Sequence, residues 1–207
     1  MLRTGPPLNE APGAMIMVHG RGASADDMLA LAAQFAGKDF AYLAPQAAHN
    51  AWYPHTFLGP LERNEPALSS GLGVLNGLVG EVVDAGLAAE RLMLLGFSQG
   101  ACLALEYGAR NARRFGGLVG LSGGLIGPPG TPRDYGGSLD GTPVFLGCSD
   151  VDPYIPLDRV EESVAVFREL DGDVTKRIYP GMGHTVSRDE IEFVAQMMSA
   201  VASSLGG

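Results

Sequence analysis

Ser98 stands in the middle of Gly96-Phe97-Ser98-Gln99-Gly100. An apolar run precedes the pentapeptide and an amphipathic stretch follows it. Gly-x-Ser-x-Gly between a strand and a helix makes a sharp turn that lifts the serine hydroxyl above a sheet and aims the next N–H at the same space. Small flanks are needed because side chains there would collide with neighbouring backbone. In a chain of 30 glycines a chance match is not rare, but one framed by a strand and a helix is. An alcohol attacks poorly until a base takes its proton. Of the four histidines, His184 lies in Gly181-Met182-Gly183-His184, where two glycines let an imidazole swing over a sheet edge. His19 reads as support for its own loop, and His49 and His55 as surface or pocket-rim residues. The base in turn needs an anion to fix its tautomer. Asp150 and Asp152 compete for that role. Pro153 sets a tight turn that favours Asp152, leaving Asp150 to cap the turn.

A tetrahedral oxyanion requires donors, commonly two backbone N–H groups. Gln99 supplies one and the His19-Gly20-Arg21-Gly22 loop the other, with Arg21 as the expected donor. A phosphate-binding loop would want Gly-x-Gly-x-x-Gly or a following Lys-Ser/Thr, and neither is present. Around this centre, Trp52, Tyr53 and Phe57 could line a substrate pocket, or simply pack a loop onto the domain. Leu125, Ile126 and Met182 are candidates for its other side. Two roles are open to the Arg21 side chain: attracting a substrate carboxylate or polar head group, or pairing with Asp26 or Asp27. Cys102 reads as a small buried packing residue and not as the nucleophile, since the elbow position holds serine.

These residues need a scaffold. Apolar runs at 14–18, 40–44, 91–97, 118–122, 144–148 and 174–179 predict six strands. Stretches at 24–36, 67–85, 99–110, 157–170 and 187–205 predict helices, the first with Ser24 as N-cap and Asp26 and Asp27 in its first turn. Strands separated by helices imply right-handed crossovers and a mainly parallel sheet of about six strands or more, with helices on both faces. In such sheets function gathers at the carboxyl ends of strands, where Ser98, Asp152 and His184 all fall. The 207 residues fit one domain, with residues 1–13 as an N-terminal extension and 45–66 as a long loop covering the pocket. The formal charge of −9 argues against nucleic acid as a partner. The apolar content of 46% excludes a disordered chain. Two cysteines make a disulfide-stapled fold improbable, and no apolar run is long enough to span a membrane. A cytoplasmic protein is the expectation, with a homodimer left open, and no cofactor or metal is required.

The chain order Ser98, Asp152, His184 is that of α/β-hydrolases. Taken together, His19-Gly20-x-Gly22, Gly96-Phe97-Ser98-Gln99-Gly100, Asp152-Pro153-x-Ile155-Pro156 and Pro180-Gly181-Met182-Gly183-His184 resemble the phospholipase/carboxylesterase family of that fold. Acyl-protein thioesterases and small bacterial carboxylesterases belong to it. The resemblance implies a serine hydrolase that cleaves carboxylic esters or thioesters without a cofactor, and esters of small or medium acyl or aryl substrates are the expectation here. Thioester cleavage is the alternative, and a non-catalytic binding module on the same fold a third. It also implies Ser98 as nucleophile, Asp152 as acid, His184 as base, and Arg21 and Gln99 as oxyanion donors. The sequence departs from the family pattern at Arg21, where acyl-protein thioesterases usually carry leucine. It departs again at Cys148-Ser149, which replace the usual His-Gly before the acid. Family strands nearer the N-terminus are expected to be missing or reduced.

Overall fold

A computed structural model describes residues 1–35 and 39–203. The strands are β1 (Leu2–Thr4), β2 (Ala14–Val18), β3 (Ala41–Ala44), β4 (Leu92–Phe97), β5 (Gly117–Leu121), β6 (Pro143–Ser149) and β7 (Asp173–Tyr179). The α-helices are α1 (Ala25–Ala32), α2 (Ala67–Asp84), α3 (Gln99–Arg110), α4 (Leu157–Glu169) and α5 (Arg188–Ser203). The seven strands form one sheet in the order β1-β3-β2-β4-β5-β6-β7, antiparallel only between β1 and β3.

Strand side chains alternate between two apolar layers, as a period of two demands. Ile16, Val18, Leu92 and Leu94 join a layer with residues of α2, α3 and α4. Met15, Met17, Met93 and Leu95 join the opposite layer with residues of α1 and α5. The central strands are buried on both faces, which is why they read as unbroken apolar runs. Helix α1 begins with a reciprocal cap: Asp27 N–H donates to Ser24 Oγ at 3.3 Å, and Ser24 N–H donates to Asp27 Oδ2 at 2.8 Å.

After β3 the chain crosses to the other side of β2 to make β4, so β2 and β4 are neighbours on either side of a topological switch. Val18 pairs with Gly96 at their carboxyl ends, and ligands bind where a switch opens a crevice. On the far side, Ser149 of β6 pairs with Tyr179 of β7, so the loops after these strands leave the sheet together.

The expected N-terminal extension holds strand β1. Its three residues are all exposed, so no apolar run marked it. The expected loop at 45–66 contains two short 3-10 turns, Ala48–Asn50 and Leu61–Asn64. Helix α1 stops at Ala32; the predicted end at residue 36, like the predicted end of the last helix at 205, lies outside the described residues. Among the described residues no helix is long and apolar enough to cross a membrane.

Candidate active site

Ser98 sits between β4 and α3 with φ 55° and ψ −119°, a conformation that L-residues rarely hold. Its surroundings over-determine it. A Cβ on Gly96 would lie 2.2 Å from Gly100 O, and a Cβ on Gly100 would lie 2.0 Å from Val18 O. Backbone, not a flexible side chain, blocks both positions, so the elbow closes only with glycine at each. Ser98 N–H donates to Leu121 O at 2.9 Å, tying the turn to β5.

Asp152, in the turn after β6, has a side chain with no exposed surface. Its Oδ1 accepts the N–H groups of Tyr154 at 2.9 Å and Ile155 at 3.1 Å. Its Oδ2 lies 2.7 Å from His184 Nδ1, and His184 Nε2 lies 2.9 Å from Ser98 Oγ. An ionised carboxylate only accepts, so Nδ1 carries the imidazole proton and Nε2 is free to accept from the serine. Burial pushes the Asp152 carboxyl upward, but the bonds from His184, Tyr154 and Ile155 outweigh it and hold the group below its ordinary value. The imidazole is braced by the Phe97 ring, with centroids 5.0 Å apart, and by the edge of Tyr154 at 4.9 Å.

Two polar groups hold the turn that carries His184. Asp150 Oδ1 accepts Gly181 N–H at 2.8 Å, the capping role expected of it. Ser149 Oγ accepts Gly183 N–H at 3.1 Å and Val151 N–H at 3.2 Å. Gly181 and Gly183 have φ of 67° and 78°, which glycine adopts freely. The serine that departs from the family pattern thus bridges the acid loop and the base loop. Cys148 Sγ lies 3.9 Å from Asp152 Oδ2, and burial pushes its thiol up to about 12.

The loop after β2 closes the other side. A Cβ on Gly20 would lie 3.3 Å from Ser98 Cβ, so this backbone passes directly beside the serine. His19, fully buried, supports its own loop as predicted. Its Nε2 accepts Ala47 N–H at 3.1 Å, so Nδ1 bears the hydrogen and donates to Gly20 O at 2.7 Å. Gln99 begins α3, where its N–H has no acceptor within the helix. Arg21 N–H meets no backbone acceptor among the described residues.

A cavity of about 740 Å³ opens over Ser98, with Arg21, Tyr53, His55, Phe57, Tyr154 and Cys102 among its lining residues. Tyr53 and Phe57 therefore lie where the sequence predicted. Trp52 does not line it: the residue is buried, its indole N–H donates to His19 O at 2.9 Å, and its ring packs on His19. The expectation for Leu125 and Ile126 is corrected. Neither lines the cavity: both are fully buried in the apolar layer that holds α2, α3 and α4, and their backbone N–H groups donate to Ser163 Oγ and Glu106 Oε2. Met182 is half-buried beside the base but is not part of the wall either. Cys102 is buried as expected; burial pushes its thiol up to about 12.

The side chain of Gln99 is a feature that sequence reasoning missed. Its Oε1 accepts Trp52 N–H and its Nε2 donates to Tyr53 O, both at 2.9 Å. The Arg21 guanidinium pairs with neither Asp26 nor Asp27. Its Nη2 donates to Tyr53 O at 2.7 Å and His55 O at 2.9 Å. Two side chains from the sheet top thus hold the cavity loop by its carbonyls, a link no local motif announces. Among the described residues no cluster of three or more His, Cys, Asp or Glu could hold a metal ion.

The profile of the phospholipase/carboxylesterase family matches residues 4–202. The chain belongs to this family. Its structure superposes with a TM-score of 0.92 on the crystal structure of a phospholipase/carboxylesterase from Dyadobacter fermentans, 41% identical, with 96% of this chain and 95% of that one covered. Acyl-protein thioesterase 1 of Gibberella zeae is 34% identical over 122 residues, 58% of this chain and 52% of that protein. Acyl-protein thioesterase 1 of Aspergillus fumigatus is 27% identical over 224 residues, 95% of this chain and 90% of that protein. The first curated relatives are matched over about half to three-fifths of their own length, 52%, 59% and 60%.

Proposed function

We propose that the chain is a serine carboxylesterase that hydrolyses small or medium acyl or aryl esters through an acyl-enzyme. The observation that carries this reading is the unbroken chain of short contacts, Asp152 Oδ2 to His184 Nδ1 at 2.7 Å and His184 Nε2 to Ser98 Oγ at 2.9 Å. His184 takes the Ser98 proton as the oxygen attacks the ester carbonyl, and Asp152 stabilises the imidazolium that forms. The N–H groups of Arg21 and Gln99 receive the oxyanion; removing such a donor typically costs about 3–4 kcal/mol of barrier. His184 then protonates the departing alcohol. Water, activated by the same imidazole, attacks the acyl-enzyme and releases the acid. Tyr53 and Phe57 offer apolar surface to the substrate.

Thioester cleavage by the same groups is the second reading, favoured by the names of the fungal relatives. A fluorophosphonate probe should label Ser98, and p-nitrophenyl butyrate should be turned over. Failure of both favours the binding-module reading. Matched oxo- and thioesters of increasing acyl length separate the two hydrolytic readings by their kcat/KM.

A further inference from the structure

We propose that Arg21 makes the site selective for esters that carry a carboxylate a few atoms from the scissile carbonyl. This rests on the hydrolase reading above.

The cavity wall has the opposite electrostatic character to the chain. The protein holds 23 acidic and 14 basic residues. Yet among the described residues no Asp or Glu lines the cavity, whereas Arg21, His55 and His184 do. Six other arginines, at positions 3, 110, 133, 159, 177 and 188, each form an ion pair with a glutamate or aspartate. Arg21, like Arg63, Arg91, Arg113, Arg114 and Arg168, forms none among the described residues, and of these six Arg21 is the one that lines the cavity. Of the two nearest acids in sequence, Asp27 is bound by Ser24.

The guanidinium is also held in place. Its Nη2 spends its hydrogens on Tyr53 O and His55 O. Nε and Nη1 have no partner among the described residues. A fixed cation with spare donors is the group that recognises carboxylates. Its place sets the ligand's size. The backbone of this loop runs beside Ser98, because Gly20 abuts its Cβ. The Arg21 side chain leaves from there and reaches the 53–55 segment, so its charge sits one side-chain length from the reacting carbon. Half-esters of short dicarboxylic acids, or esters of small hydroxy acids, fit that spacing.

A strut that only holds the 53–55 carbonyls is the rival role, and a ratio separates the two. We would measure kcat/KM for monoethyl adipate against its neutral amide counterpart, and for 4-butyryloxybenzoate against 4-butyryloxybenzamide. These pairs place the carboxylate on the acyl side and on the alcohol side. The acid member of at least one pair should be preferred by about tenfold. Arg21→Gln should collapse that preference, and Arg21→Lys should keep part of it. A strut would lower both members equally and leave the ratio as it was; that result, or no preference in the wild type, overturns the inference. If Arg21→Gln does not fold, the wild-type ratio and Arg21→Lys decide. Ser98-dependent turnover without preference sinks the inference alone. No turnover of any ester sinks the hydrolase reading and the inference with it.

Discussion

The two sides of the cavity are built by different rules. On the acid–base side, each group follows its strand within a few residues. A short-range turn holds the acid, Asp152 being fixed by the amides of Tyr154 and Ile155, and the end of the neighbouring strand holds the base, the His184 turn being fixed by Ser149 and Asp150. On the wall side, the 52–57 segment is held nearby by Asn64, which bonds His55 N–H and Thr56 O, and from far along the chain by Gln99 and Arg21 side chains that bond its backbone. The first side takes its geometry from strand ends and the turns that follow them. The second borrows part of its geometry from side chains at the sheet top, which ties the wall to the reacting centre.

The acid–base side should fail completely when one atom is removed. Ser98→Ala is expected to lower kcat by roughly 10⁴-fold or more, since members of such a set act as one unit. The thermal midpoint should stay within a few degrees, because the Oγ contributes no cap to α3. Residual activity near wild type would move the reaction elsewhere. Next in size, Asp152→Asn should cut kcat about 10³- to 10⁴-fold by disturbing the imidazole tautomer. Asp150→Asn keeps an oxygen to accept Gly181 N–H and should cost less than about tenfold. Equal losses in the two variants would erase the distinction between the acid and the residue that merely holds the turn.

The same contrast explains what the sequence disclosed. Strands β2, β3, β4, β5 and β6 announce themselves as apolar runs because both faces are covered. Strand β1 lies exposed at the edge and needs no such run. Ser98, Asp152 and His184 were legible because glycine, proline and strand ends mark the turns that carry them. Leu125 and Ile126 follow a strand too, and so looked like wall residues. Their side chains instead join the apolar core, and their backbone is held by Ser163 and Glu106 from distant segments. The clamp made by Gln99 was hidden for the same reason: its partners lie 47 and 46 residues away.

The wall should therefore degrade by degrees where the acid–base side fails outright. Gln99→Leu keeps the backbone N–H at the elbow but removes two buried hydrogen bonds to Trp52 and Tyr53. Bonds of this kind are worth about 1 kcal/mol each. We expect KM to rise about tenfold with a smaller fall in kcat, and protease cleavage within 52–57 to speed up. A fall in kcat alone, with the loop still resistant, would mean that the wall holds itself.

The acid–base side also carries a buried charge that the wall lacks, and it gives the smallest effect. Glu190, fully buried near the start of α5, accepts Ser187 N–H through Oε2 at 2.6 Å. Its Oε1 presses on Gly147, where a Cβ would lie 2.1 Å away, and has no partner among the described residues. Burial raises its carboxyl above the ordinary value of 4.5, against the bonds from Ser187. The folded state then holds this proton more firmly than the unfolded state. Near pH 4 both states are protonated and the stabilising contribution is whole; as pH climbs through the raised value, the unfolded state releases its proton first and that contribution is lost. Glu190→Gln has no proton to lose. Its thermal midpoint should therefore gain on the wild type between pH 4 and pH 7. Asp152 does not confuse the measurement, because its lowered carboxyl acts below its ordinary value of 3.8. A gap that stays constant across this range would mean that Glu190 finds a partner, and that the turn carrying His184 is anchored without electrostatic cost.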